Sequence, residues 1–408
     1  STDSGVSTTL VDPVGTMLPV QGRPTPAQPT QAPAPEALLV RLERALGALW
    51  WRPPRLGGTL GIWILAPLSW AYRALAAAHR RLTRAPAAPP ALLQRRATPP
   101  SAVEPAHAAV PTIVVGNWVV GGAGKTPATL ALLAHLQGAG WTPGVVSRGY
   151  GRHSGQTLLV DPLRSRAEDV GDEPLLLARR AGVRVVVGQD RRRAREHLLQ
   201  VCPEVNVVVA DDGLQHHRLW RDLEVVVVDE RGAGNGWCIP AGPLREPLPP
   251  TLPPKTLLLY SAGVATLGLP GFLAQRHLAG IQTLQDWLAG QPCPADGGWE
   301  AVRGLQMHAA AAIAVPERFF ESLRQHGIAL AQTHALPDHD PWDALPWDAS
   351  VREVIVTEKD AVKLTDLALH PASTRIWVAR LDLRLPADFT QALDQRLHAF
   401  RPGRALKA

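Results

Sequence analysis

Sulfur is scarce in this chain. Three cysteines, Cys202, Cys238 and Cys293, stand far apart with no CxxC spacing. That excludes a thiolate zinc centre and a disulfide framework, and it fits a reducing compartment. Long basic runs are missing too, although 42 Lys and Arg face only 36 Asp and Glu. A net charge of +6 and a pI of about 9.6 suit nucleic acid, anionic lipid or a phosphorylated substrate. With no runs and no aromatics interleaved among the basic residues, nucleic acid is set aside.

Charge itself is absent from one stretch, LGGTLGIWILAPLSWAY at 56–72. It is short for a full crossing, which takes about 20 apolar residues as a helix. Arg41, Arg44, Arg52 and Arg55 precede it, and Arg73, Arg80, Arg81 and Arg84 follow, so charge does not orient it. Trp50, Trp51, Trp63, Trp70 and Tyr72 suit the headgroup level of a bilayer. The stretch reads as a membrane anchor, lying in the plane or just spanning; a buried core helix is the plainer alternative.

Proline is plentiful, at 39 residues, and it marks the divisions of the chain. Residues 1–36 are rich in Pro, Ala, Thr and Gln and read as a disordered extension. Residues 37–82 form the membrane-associated helical region, and 83–110 a Pro/Ala linker. From 111 to 255, short apolar runs alternate with helical patterns: PTIVVG, GVVSRG, VRVVVG, VNVVVA and LEVVVVD are the strands. That alternation predicts an α/β fold with a mostly parallel sheet covered on both faces. After the Pro-rich 245–256, the runs TLLLYS, MHAAAAIAV, REVIVT and TRIWVAR, with two helices, predict a second, smaller α/β domain over 256–408. There is no internal repeat and no signal for an oligomeric state.

The chemistry gathers at strand ends. VVGGAGKTPA (119–128) follows a strand and opens a helix, the context of a phosphate loop. Gly121, Gly122, Ala123, Gly124, Lys125, Thr126 and Pro127 form its core. Lys125 is placed to reach outer phosphates of ATP and Thr126 to hold Mg²⁺. Val119 stands where the usual pattern has its first Gly. VNVVVADDG supplies Asp211 and Asp212 as metal acids, with Asp229 of VVVVDE as a rival.

VGDEPLLL (170–177) sets Asp172 at a helix start, as a plain N-cap or as a general base for a hydroxyl proton. His339 in PDHDPWD is either a surface loop residue or the partner of an acid across a cleft. Arg245 in AGPLREP is either solvated or set to neutralise a transferring phosphoryl group. Arg148 and Arg152 of SRGYGR meet phosphate or cap strand ends. DRRRAR (190–195) reads as a helix start with a basic face. TEKDAVKL (357–364) reads as a helix capped by Thr357, or as a reach toward a nucleotide base. A phosphate loop alone also serves a membrane-associated ATPase or GTPase acting on a protein partner, or a nucleotide-binding scaffold.

In order, GGAGKTP, SRGYGR, GDEP, DDGLQHHRL, PAGPLREP, PDHD and TEKDAVKL, with PLSWAYR before them, resemble the tetraacyldisaccharide 4′-kinase family of lipid A biosynthesis over about 36–400. The resemblance implies ATP- and Mg²⁺-dependent phosphorylation of the 4′-hydroxyl of a tetraacyldisaccharide 1-phosphate, forming lipid IVA. It places that glycolipid reaction at the cytoplasmic face of the inner membrane, under two α/β domains and an N-terminal membrane helix. It implies Asp172 as the catalytic carboxylate with His339 as partner. Asp211 and Asp212 position metal and phosphate, and Arg245 and Glu246 line the reacting region. Val119 and Ala123 stand where the family usually has Thr, and Ala312 where it commonly has Gly.

Overall fold

The computed structural model describes residues 45–51, 60–83, 110–365 and 373–400; the 1–36 extension and all but the ends of the 83–110 linker lie outside them. The first long element is a helix, α1 (Leu60–Thr83), with Pro67 inside it. It runs further than the uncharged stretch that announced it, because Ala- and Arg-rich sequence after Tyr72 continues the helix.

Valine-rich runs then build one large sheet. Its strands are β1 (Thr112–Gly116), β2 (Pro143–Ser147), β3 (Leu158–Leu159), β4 (Arg184–Val187), β5 (Val207–Ala210), β6 (Leu223–Val228), β7 (Thr256–Tyr260) and β8 (Phe272–Leu273). Their order is β3-β4-β2-β5-β1-β6-β7-β8, parallel throughout except for β3. The helices between them are α2 (Lys125–Gly138), the single turn α3 (Ala167–Val170), α4 (Asp172–Ala181) and α5 (Arg191–Val201). Leu132, Leu133 and Leu136 of α2 and Leu175 and Leu177 of α4 pack on one face. Ala194, Leu198 and Leu199 of α5 pack on the other. Burial on both faces is why the strands read as unbroken apolar runs.

The smaller sheet contains β9 (Gln275–Thr283), β10 (Gln306–Ala311), β11 (Ala329–Ala335), β12 (Glu353–Thr357) and β13 (Arg375–Arg384). Its order is β11-β10-β12-β13-β9, with β9 antiparallel to β13. The α-helices that accompany it are α6 (Leu284–Leu288), α7 (Pro316–Gln325), α8 (Glu358–Ala361) and α9 (Ala387–Leu397). This is the α/β class expected, but two elements sit elsewhere than the sequence suggested. TLLLY is β7 of the large sheet, in parallel register with β6 from Glu224↔Thr256 to Val228↔Tyr260. The Pro-rich segment before it is therefore a return crossing, not a boundary. The helix DFTQALDQRL, read with the second domain, buries Phe389, Leu393 and Leu397 in the large sheet's core, with Phe389 edge-on to Phe272 at 5.5 Å. An amphipathic pattern shows that a helix has a buried face, not which sheet will cover it.

Candidate active site

Strand β1 lies between β5 and β6, and the chain leaves it first toward β2 on one side and later toward β6 on the other. Such a reversal opens a crevice beyond the carboxyl ends of the strands. The loop after β1 fills it. Gly121 and Gly122 form an exposed crest, Ala123 is buried, and Lys125 and Thr126 begin α2. Gly124 holds the N-cap position at φ 78° and ψ 24°, left-handed backbone that a side chain would strain. No side chain caps this helix and no acid sits in its first turn, so its free N–H groups and positive dipole end suit an anion. Pro127, third in the helix, gives up an N–H but matches the φ of a first turn. Val119 is buried and bridges to Leu244, so its side chain serves the core.

The DDG turn comes up beside this loop because Gly116 has no side chain: a Cβ there would meet that of Leu214 at 2.6 Å. Asp211 faces inward and accepts a hydrogen bond from Thr129 Oγ1 at 2.9 Å. Burial, then the charges of Glu173 and Asp212, push its carboxyl up to about 7 against the pull of Lys125 and Thr129. Asp212, at φ 47°, meets Lys125 and Arg245. Burial would raise it too, but Lys125 and Arg245 hold it below the usual carboxylate range. Lys125 Nζ is 3.5 Å from Asp212 Oδ1 and 3.4 Å from Asn117 Oδ1. Arg245 donates from Nη1 to Asp212 Oδ1 at 3.2 Å and to Gln215 Oε1 at 3.2 Å. Glu246 accepts from Arg80 of α1 at 2.7 Å and from Gln215 at 3.2 Å.

A second cluster surrounds Asp172. It is the first residue of α4, but the N-cap position belongs to Gly171, so the plain capping role is not the one observed. Its Oδ2 accepts from His339 Nδ1 at 2.9 Å and lies 3.5 Å from Lys363 Nζ and 3.9 Å from Lys359 Nζ. Burial opposes the charge of Asp172, yet the His339 hydrogen bond and the two lysines bring its carboxyl down to about 2. Lys359 Nζ also sits 3.2 Å from His339 Nε2. An ammonium only donates, so Nε2 accepts and the ring's proton is on Nδ1, facing Asp172. Burial would lower Lys359, but Glu173, Asp172 and Asp338 carry it above the ordinary lysine range. His339 holds φ 64°, and Tyr150 packs on its ring at 5.0 Å.

Glu173 joins the clusters, since it acts on Asp211 and lies 3.6 Å from Lys359 Nζ. One cavity of about 830 Å³ runs along both, lined by the loop from Gly122 to Pro127, Glu173, Lys359 and the start of α7. Gly122 to Pro127 of the phosphate loop line it, while Gly121, Arg245, Asp172 and His339 do not. Its free helix N-terminus and Lys125 fit a polyphosphate. Among the described residues no three His, Cys, Asp or Glu side chains are gathered to hold a metal alone. Thr126 with the DDG acids fits a cation that also takes phosphate oxygens, and such an ion would relieve the crowding of carboxylates at Asp211.

Asp229 is not a free metal acid. Arg231 and Arg318 hold its Oδ2 at 2.7 and 3.1 Å. Thr357 does cap α8, accepting from Asp360 N–H at 3.2 Å. Sequence reasoning missed that Lys359 and Lys363 of that segment hold Asp172. Their spacing of four on one helical pattern was the available signal. Asn117 was missed as well: it is fully buried and braces Lys125 from the end of β1.

Comparison with known proteins identifies the family. The family model described as tetraacyldisaccharide-1-P 4′-kinase matches residues 62–398. The tetraacyldisaccharide 4′-kinase of Methylibium petroleiphilum is 48% identical over 345 residues, 83% of this chain and 92% of that one. That of Leptothrix cholodnii is 46% identical over 369 residues, 90% of this chain and 98% of that one. A crystal structure of LpxK from Aquifex aeolicus, in complex with ATP, shares the fold with a TM-score of 0.63 and 23% identity, over 83% of this chain and 99% of that one. A match spanning both sheets and both clusters, with relatives aligned over nearly their whole length, means that the chain belongs to the tetraacyldisaccharide 4′-kinase family.

Proposed function

We propose that this protein is an ATP-dependent lipid kinase that phosphorylates the 4′-hydroxyl of a tetraacyldisaccharide 1-phosphate to form lipid IVA. The observation that carries the reading is the pairing of an uncapped phosphate loop with an ionised carboxylate that His339 and two lysines hold beside the same cavity. Thr126 and the DDG acids would hold Mg²⁺, which would supply neutralisation of phosphate charge. Lys125 and the N–H groups of the loop grip those phosphates, and Arg245 balances charge on the moving phosphoryl group.

Asp172 accepts a hydrogen bond from the 4′-hydroxyl and takes its proton as the new O–P bond forms and the bond from the γ-phosphorus to the bridging oxygen of ATP breaks, ADP leaving with that electron pair. In a loose transition state that proton leaves late, so orienting the hydroxyl matters more than basicity. A carboxyl brought to about 2 then passes its proton on readily, which resets the site. Arg148 and Arg152 both add positive charge beside Arg191, and buried Arg152 Nη2 and Arg191 Nε have no hydrogen-bond partner among the described residues. Those open donors suit the phosphate the acceptor already carries.

The glycolipid explains α1. The buried residues Ile62, Ala66 and Ser69 dock it on the protein, while Leu60, Trp63, Ile64, Leu68, Trp70 and Leu75 are exposed. By length and composition it can cross a bilayer. This supports a seat at the cytoplasmic face of the inner membrane, where the acyl chains of the acceptor stay in lipid.

The test is transfer of labelled γ-phosphate from ATP to a tetraacyldisaccharide 1-phosphate in mixed micelles with Mg²⁺. We expect a labelled bisphosphorylated lipid, reduced at least about a thousandfold by Lys125→Ala, given what phosphate clamps contribute. Release of free phosphate without labelled lipid would instead point to an ATPase or GTPase serving a protein partner.

A further inference from the structure

We propose that Arg318, carried on α7 by the smaller sheet, neutralises the terminal phosphate of the bound nucleotide and so makes the site prefer ATP to ADP. This rests on the ATP-dependent reading above.

Three observations carry it. First, position: Arg318 lines the cavity with Lys125 and the Gly122–Pro127 loop. The chain just before α7 abuts that loop, since a Cβ on Gly122 would meet Ala314 at 3.4 Å. Arg231 ties the parts together. It donates to the Gly122 carbonyl and to Asp229, and Asp229 Oδ2 also holds Arg318 Nη1 at 3.1 Å. Arg318 thus stands one shared carboxylate away from the crest of the phosphate loop.

Second, Asp229 does not need it. The buried Asp229 carboxylate already accepts from the Arg231 backbone N–H at 3.0 Å and from Arg231 Nε at 2.7 Å. Arg318 Nε turns to Glu230 Oε1 at 2.9 Å, and Glu230 also binds Arg276 Nη2 at 2.7 Å. Arg318 Nη2 has no hydrogen bond among the described residues, and the side chain remains 30% exposed. One nitrogen of the guanidinium therefore stays open on the cavity that the phosphate loop lines, able to donate to a phosphate oxygen.

Third, Arg318 breaks a local rule. It is third in α7, where the helix dipole favours acids and disfavours cations. A cation kept there is explained by an anion it serves. Asp229 and Glu230 hold the guanidinium in place until the phosphate competes for it. Because the arginine comes from the smaller sheet and the loop from the larger, the outermost phosphate is the group both can touch.

The experiment is equilibrium binding of ATP and ADP, each with Mg²⁺, to the full chain in detergent micelles. It compares the unaltered protein with Arg318→Gln, Arg318→Lys and Lys125→Ala, and records thermal unfolding of each without nucleotide. We expect Arg318→Gln to weaken ATP about ten- to a hundredfold, as loss of a charge-assisted bond does, and ADP less than about threefold. Arg318→Lys should recover part of the loss. Equal weakening of ATP and ADP, or no weakening, overturns the proposal and leaves Arg318 a strut between the sheets. If Arg318→Gln fails to fold, the ATP-to-ADP ratio of Arg318→Lys decides on the same terms. If the unaltered protein shows no Lys125-dependent ATP binding, the kinase reading itself fails and takes this proposal with it.

Discussion

Asp172 and Asp211 are almost equally hidden from water, at 4% and 1% exposure, yet one is brought down to about 2 and the other pushed up to about 7. Burial raises both. The difference lies in the neighbours. Asp172 faces His339, Lys359 and Lys363, which come from the smaller sheet, whereas Asp211 faces Glu173 and Asp212 on its own side of the cavity. Lys125 and Arg245 of the larger-sheet side answer Asp212, while the cations that answer Asp172 come with the smaller sheet. Asp172 is kept ionised by groups that the second half of the chain supplies.

The comparison breaks most visibly at Asp172. Asp172→Asn keeps the shape but removes the acceptor of the proton, and turnover should fall about 10²- to 10⁴-fold with ATP binding little changed. Loss of both in equal measure would return Asp172 to a structural role.

A smaller effect follows from linkage. The Asp172 carboxyl is held below its unfolded value, so its contribution is complete above about pH 4 and is lost as pH falls toward 2. It should amount to about 2 kcal/mol. Denaturant unfolding of the unaltered protein and of Asp172→Asn at several pH values reads it directly. The gap in stability should close by that amount between pH 5 and pH 2, and a constant gap would mean that the cations do not stabilise the ionised form.

The smallest expected change is on the other side. Thr129→Val removes the hydrogen bond that α2 donates to Asp211, and should cost about 1 kcal/mol in stability. No change in the unfolding midpoint would show that Asp211 finds another donor.

Much of this was legible in the sequence. Gly and Lys-Thr after a valine-rich strand announced the phosphate loop, because the backbone that cradles an anion needs those residues in that order. The DDG and GDEP acids were legible as strand-end and helix-start groups. What joined them was not. Asp172 and Lys359 are separated by 187 positions, and only the packing of α8 against α4 brings them within 3.9 Å. The side on which α9 and β7 pack was equally hidden, because apolar patterning states that a face is buried without naming its cover. Asp229 looked like Asp211 in sequence, with an acid or Gly after a valine run. Arg318, 89 residues further on, is part of what separates their roles.

The docking of α1 has a consequence for anyone who wishes to alter the reacting loop. Ser69 Oγ donates to the carbonyl of Cys238 at 2.8 Å, and Tyr72 Oη donates to the carbonyl of Arg245 at 2.8 Å. Both fasteners end on main-chain oxygens, which every residue type supplies. The side chain at 245 can therefore be exchanged while those two fasteners stay closed, so a library at that position samples chemistry on a mount that stays bolted. Glu246 is the exception, since its own carboxylate receives Arg80. Adjacent positions on one loop thus differ in kind, one an interchangeable tool and the other part of the mount.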